Sequence, residues 1–337
     1  MIRYPVLEGK AGVGITAPSS GIPEEMHDLL ESAIQKLKDE EYSVVSGDTA
    51  WTQEKAKSAS AKKRAEEINE MMRDESIGLI FPPWGGELLI ETLEYIDFEN
   101  IREKWVLGYS DISLLLLAIT LNKGIATAHG TNLIDLRGEE SDETTRMWKS
   151  VLSNKEGDTV IQYSSERYQE DWDFDNPTPH IFNLTEETYW KTVSGHEEKL
   201  EGRLLGGCMD AIRHLIGTSF GDIHSFRKEY IPDEPILWYL ENCEMSVVEL
   251  RRTLVHMKLA GWFKDASAIM FGRSSSDIPV EDYTVQDVYQ ELSEELGVPI
   301  VYDIDCGHMP PQITFINGAY AEVEVKAGNG VVSQTFR

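Results

Sequence analysis

The stretch WVLGYSDISLLLLAI, residues 105 to 119, begins and ends as an apolar run, with Gly-Tyr-Ser-Asp between. The first run has the length of a buried strand and the second that of a buried helix. Such a turn puts Ser110 at a strand's carboxyl end and at a helix N-terminus. There the helix dipole lies beneath it, and the Asp111 amide has no intrahelical partner. That amide can donate to an oxyanion, the arrangement of a nucleophile elbow. The plainer alternative is that Ser110 or Asp111 merely caps the helix. Ile112 stands where the common α/β-hydrolase elbow has glycine, which argues against an ordinary esterase or lipase.

Working outward, GVGITAP (12–18) reads as a strand, and Pro23 opens a helix with Glu24 and Glu25 in its first turn. Met26, Leu29, Leu30, Ala33, Ile34 and Leu37 follow a helical period. Further strands are expected at 42–45, 77–81 and 124–130, with helices over 53–73 and 88–95. This alternation predicts a mostly parallel sheet covered on both faces, with its ligand site at the carboxyl ends of the strands. The acidic, aromatic stretch over 163–195 reads as a long loop or arm holding Trp172 and Trp190. Beyond it, ILWYLE, SAIMFG and VPIVYDI read as strands, and SVVELRRTLVHMKLAGWF and 285–296 as helices. ITFINGAYAEVEV alternates as a strand does. The expected organisation is a doubly wound α/β domain over 1–160, an arm over 161–199, and a second α/β domain over 200–337.

With 41% hydrophobic residues among 337, a sizeable core is available. A net charge of −28 repels nucleic-acid phosphates and anionic membranes. The first residues lack the basic start and apolar run of a signal peptide, and no run approaches a membrane span. Three scattered cysteines argue against a disulfide framework or a zinc cluster. The expectation is a cytoplasmic protein with free thiols and no nucleic-acid or membrane partner.

A serine nucleophile needs a base, and the base an orienting acid. His308, in DIDCGHMPPQ, follows a predicted strand; His129, in ATAHGT, is a rival at another strand end. His214 and His256 sit in helical patterns and read as packing or surface residues. Glu241 ends ILWYLE, where a carboxylate can be partly buried and paired. Gly85 and Gly86, in PPWGGE, let backbone approach a ligand and expose an amide, or simply make a tight turn. Arg203, Arg213 and Arg273 are candidates to grip an anionic leaving part.

The segments GVGITAPSSG, WGGELL, LGYSDIS, TAHGTN, LLGGCMDAIRHLIGT, LENCEMS and CGHMPPQITFINGA occur in an order that resembles the LD-carboxypeptidase family of serine peptidases, which includes the microcin C self-immunity proteins. The resemblance implies a flavodoxin-like N-terminal domain and a smaller α/β C-terminal domain, usually in a homodimer, with no metal or cofactor. It implies Ser110 as nucleophile, His308 as general base and Glu241 as its orienting acid. Oxyanion donors would come from the amides of Asp111 and of Gly85 or Gly86.

Two branches of that family differ in substrate. One cuts the bond before a terminal D-alanine in muropeptides; the other cuts an acyl–nitrogen bond joining an amino acid to a nucleotide. The second carries a longer loop with an aromatic that stacks on the base, and the arm with Trp172 and Trp190 resembles it. The nucleotide-conjugate branch is therefore expected, with muropeptide cleavage as the alternative. A non-catalytic small-ligand binding protein is the alternative of another class.

Overall fold

A computed structural model describes residues 1–9, 11–170 and 181–337. The first sheet contains β1 (Gly12–Ile15), β2 (Ser43–Ser46), β3 (Ile77–Ile80), β4 (Trp105–Gly108) and β5 (Thr127–His129). These five are parallel in the order β2-β1-β3-β4-β5. That is the flavodoxin-like order, whose ligand crevice opens where the winding reverses beside β1 and β3. β1, β3 and β4 are short apolar runs, β4 is buried along its whole length, and the edge strand β2 (SVVS) is largely exposed.

The other strands are β6 (Thr159–Tyr163), β7 (Arg167–Tyr168), β8 (Glu186–Glu187), β9 (Lys191–Thr192), β10 (Glu198–Cys208), β11 (Ile236–Glu241), β12 (Ala266–Gly272), β13 (Ile300–Ile304), β14 (Phe315–Asn317), β15 (Tyr320–Lys326) and β16 (Asn329–Thr335). Eight of them form the second sheet, ordered β6-β16-β15-β10-β11-β12-β13-β9, with β10 to β13 parallel. β14 leaves that set and pairs antiparallel with β5 at the edge of the first sheet. The chain thus crosses from one sheet to the other between β13 and β14, and His308 lies on the crossing.

Three helices place the site. α1 (His27–Asp39) and α2 (Ala61–Arg73) each bury one stripe of side chains. α3 (Ile112–Lys123) buries every residue from Ile112 to Leu121, as an apolar helix enclosed on all sides must. It packs on both β5 and β10, so the helix that follows Ser110 joins the two sheets. Gly124, in the left-handed region, ends it.

Two expectations need correction. The segment before α2 is not helical: Ser60 caps the helix, and Ser58 Oγ donates to the Ala17 carbonyl, pinning that stretch beside the cleft. The arm is no plain loop, since β7 and β8 pair with each other and β9 pairs with β13. The second sheet has eight strands to the six of the first, and it draws β6 and β9 from the chain before residue 200. No helix among the described residues is long and apolar enough to cross a membrane.

Candidate active site

Ser110 follows β4 with φ +62°, a left-handed conformation that a residue with a Cβ adopts only under constraint from its surroundings. The constraint is visible. Asn132 Oδ1 accepts from the Tyr109 amide at 3.2 Å, and the Ser113 amide closes on the Ser110 carbonyl at 2.9 Å. The buried Asp111 carboxylate accepts from Ser19 Oγ (2.5 Å) and from the Leu89 amide (2.9 Å). One side chain thereby ties the turns after β1, β3 and β4 together.

His308 Nε2 lies 3.0 Å from Ser110 Oγ, and its Nδ1 lies 3.0 Å from Glu241 Oε2. With Nδ1–H donating to the carboxylate, Nε2 is left to accept from the serine hydroxyl. Glu241 is completely buried at the end of β11. Gly307 makes the approach possible: a Cβ there would meet Glu241 Oε2 at 2.7 Å. Burial alone would raise the Glu241 pKa, but the neighbouring His308 lowers it below its ordinary value. Burial would likewise lower the His308 pKa, yet Glu241 and the Cys243 thiol raise it well above 6.5. The two shifts describe one mutually stabilising pair.

Gly85 and Gly86 lie across the turn. A Cβ on Gly85 would stand 3.1 Å from the Asp111 nitrogen, so the two segments face one small space beside Ser110 Oγ. Gly86 has φ +140°, and a Cβ there would strike Ser19 and Ser20.

The site opens into a cavity of about 420 Å³. Its walls include Trp84, Met26 and Leu29, with Asn132, Asp135 and Arg137 from the segment after β5. Trp84 Nε1 donates to the Ser20 and Gly21 carbonyls. Burial raises the Asp135 pKa to about 6 and lowers that of Arg137, whose Nη1 donates to the Ile134 carbonyl at 2.8 Å. A larger groove of about 690 Å³ lies away from this chemistry, along 142–147 and 161–167.

Ser110, Glu241, His308, Asp111, Gly85 and Gly86 therefore lie close together. The rival His129 is buried against Tyr239 and Cys306, and burial lowers its pKa to about 4. Trp190 is corrected as a stacking residue: it is 1% exposed, packs over Gly330, and its Nε1–H donates to Asp305 at 2.8 Å. Trp172 lies outside the described residues. The three arginines singled out from sequence also lie elsewhere. Arg203 pairs with Glu234 and holds the Arg337 carbonyl, Arg213 contacts Met245, and Arg273 pairs with Asp305. Among the described residues, Arg137 is the one arginine or lysine on the cavity wall. Neither it nor Trp84 was singled out from sequence, although Trp84 adjoins the Gly-Gly pair and Arg137 follows TAHGTN closely.

Fold and family together define the class: a hydrolase of the carboxypeptidase type, built from two domains of mixed α/β structure. Residues 13–130 match the LD-carboxypeptidase N-terminal domain and residues 201–323 the LD-carboxypeptidase C-terminal domain. The chain belongs to the LD-carboxypeptidase family of serine peptidases. A putative carboxypeptidase of Vibrio cholerae is 27% identical, over 89% of this chain and 88% of its own. The microcin C7 self-immunity protein MccF of Escherichia coli is 23% identical, over 99% of this chain and 97% of its own. A probable murein peptide carboxypeptidase of Bacillus subtilis is 26% identical, over 95% of this chain and 91% of its own. Among solved structures, MccF in complex with glutamyl sulfamoyl guanosine superposes with a TM-score of 0.83 at 20% identity, covering 100% of this chain and 99% of that one.

Proposed function

We propose that this protein is a serine carboxypeptidase or amidase that hydrolyses an acyl–nitrogen bond in peptidyl- or aminoacyl-nucleotide conjugates. The observation that carries the reading is the unbroken relay from Ser110 through His308 to Glu241, both links 3.0 Å long. Ser110 Oγ attacks the carbonyl carbon as His308 Nε2 takes its proton. The Asp111 amide and that of Gly85 or Gly86 hold the oxyanion, each worth about 3 kcal/mol of barrier. His308 then protonates the leaving nitrogen and the C–N bond breaks. Water adds to the acyl-enzyme by the reverse proton route, releasing the acid and regenerating the hydroxyl. Glu241 holds the tautomer and stabilises the imidazolium.

Arg137 grips an anionic group of the substrate, in place of the arginines first considered. Trp84, with Met26 and Leu29, offers a flat apolar wall for a base or an acyl side chain. Support for the nucleotide class comes from MccF, a relative over 99% of the chain. The B. subtilis relative supports muropeptide cleavage as the second reading.

The test offers purified protein an aminoacyl sulfamoyl nucleoside and, separately, a muropeptide ending in D-alanine, with Ser110→Ala as the blank. Cleavage of the nucleoside conjugate that is absent from Ser110→Ala is the expected result. Release of D-alanine alone overturns the substrate assignment. Binding without turnover in either tube overturns the enzymatic one.

A further inference from the structure

His308 sits in a loop, where backbone is held least firmly. A general base nevertheless has to stay within about 0.5 Å of its working position. A buried polar cluster lies three residues upstream, at Asp305. Asp305 is fully buried, and its carboxylate accepts from Arg273 Nη2 (2.8 Å), Trp190 Nε1 (2.8 Å), the Ser165 amide (3.0 Å) and Ser165 Oγ (2.5 Å). Arg273 grips the loop on both sides of His308. Its Nη1 donates to the Asp303 carbonyl and its Nη2 to the Met309 carbonyl, each at 3.3 Å. The Tyr168 ring covers the guanidinium at 4.5 Å, and the Gln169 amide donates to the Pro310 carbonyl at 2.8 Å. Ser165, Tyr168, Gln169 and Trp190 all belong to the arm.

We propose that Asp305 and Arg273 are positioning residues for His308, and that the arm, through Ser165, Tyr168, Gln169 and Trp190, braces the loop that carries the base. The proposal rests on the reading of His308 as general base. A buried ion pair is a poor source of stability compared with apolar packing, so folding alone is a weak reason for this one. Its geometry points instead to the loop: one guanidinium bridges Asp303, Asp305 and Met309, the residues flanking His308. In this arrangement the arm's described tryptophan acts on the chemistry from behind, without touching substrate.

The test uses the full chain with Trp190→Phe, Arg273→Lys and Arg273→Ala, assayed on the substrate that wild type cleaves. Trp190→Phe removes the indole N–H and keeps an aromatic ring. We expect kcat to fall roughly tenfold, as for a base displaced by a fraction of an ångström, with KM close to wild type. Arg273→Lys should fall less than Arg273→Ala. Among the described residues, the titratable groups facing His308 are Glu241, Cys243, Asp135, His129 and Tyr109, whose ring meets the imidazole edge-on. A loop that slackens loosens His308 from Glu241, so the acid limb of kcat/KM should move to lower pH in each variant. Loss of packing alone would leave that limb in place. If Trp190→Phe does not fold, Ser165→Ala removes a smaller group from the same carboxylate and is judged by the same two readouts. Folded variants with wild-type kcat and an unmoved limb overturn the brace. His308→Ala with wild-type turnover would overturn the base assignment itself, a result distinct from failure of the brace.

Discussion

A methyl group on Gly85 would stand 2.6 Å from Ser110 Cβ and 2.7 Å from Ser110 Oγ, so the turn after β3 and the turn after β4 meet with no room for a side chain. The constraint is mutual. Ser110 is held in the left-handed region by Asn132 and the start of α3, and cannot withdraw without breaking those contacts. Gly85→Ala should therefore shift the nucleophile or the facing amide. We expect kcat to fall about 100-fold, the scale of a displaced nucleophile or a lost oxyanion donor. Single-turnover assays beside a thermal melt check this: the melt should move far less than the rate.

The pH dependence follows from the His308–Glu241 pair. The His308 pKa is raised well above 6.5, and only the neutral imidazole can accept the Ser110 proton. Activity should therefore rise with pH through a value above 6.5, measured as kcat/KM against pH. For stability the sign is the reverse. A raised folded-state pKa favours the fold below the unfolded value, and that contribution is lost as pH climbs through the folded one. Glu241, lowered from 4.5, contributes above its unfolded value and loses this as pH falls through its folded one. The pair thus stabilises the protein most between those limits. Glu241→Gln removes the charge that opposes burial, so the acid limb should drop to lower pH while the maximal rate falls by orders of magnitude.

Much of this site was readable in the chain because its groups sit at the ends of apolar runs. Ser110 follows WVLG, Glu241 closes ILWYLE and His308 comes shortly after VPIVYDI; a parallel sheet delivers such positions to one edge. Groups whose role depends on pairing across sheets were not readable. Asp305 joins Ser165 across 140 positions and Trp190 across 115, and no local pattern marks those contacts. An arm rich in acidic and turn residues suggested an exposed tryptophan, whereas Trp190 is locked into the core of the second sheet. β10 was not recognised because charged residues alternate with Leu200 and Gly202 in its first half and two glycines precede Cys208 at its end. Arg203, Arg213 and Arg273 drew attention by charge alone, whereas Arg203 and Arg273 are buried against Glu234 and Asp305 and the half-buried Arg213 lies on Met245.

Trp84 offers a way to separate the two substrate classes. Its indole N–H is held by Ser20 and Gly21, which fixes the ring against the cavity. Stacking on one base is worth about 1–3 kcal/mol. Trp84→Ala should raise KM for an aminoacyl sulfamoyl nucleoside roughly tenfold or more and leave kcat nearly unchanged. For the same acyl group on a leaving amine without a base, KM should barely move. Equal losses on both compounds would show that the ring packs the wall rather than the base.

Arg137 carries the sharpest specificity prediction, because the chain's net charge of −28 works against any anionic substrate. A single guanidinium on a partly enclosed wall has to overcome that repulsion locally. One of its nitrogens is spent on the Ile134 carbonyl, which fixes the plane of the group beside Asp135 and Asn132. A hydrogen bond between charged partners contributes about 1.5–3 kcal/mol, or a factor of roughly 10–100 in binding. Arg137→Gln should therefore raise KM by that factor for a substrate with a free carboxylate or sulfamate, with kcat close to wild type. An amidated or neutral analogue should lose little, and the ratio of variant to wild-type KM should shrink as salt is added, because screening weakens the Arg137 attraction. A variant that loses kcat instead of KM would move Arg137 from ground-state binding to the transition state.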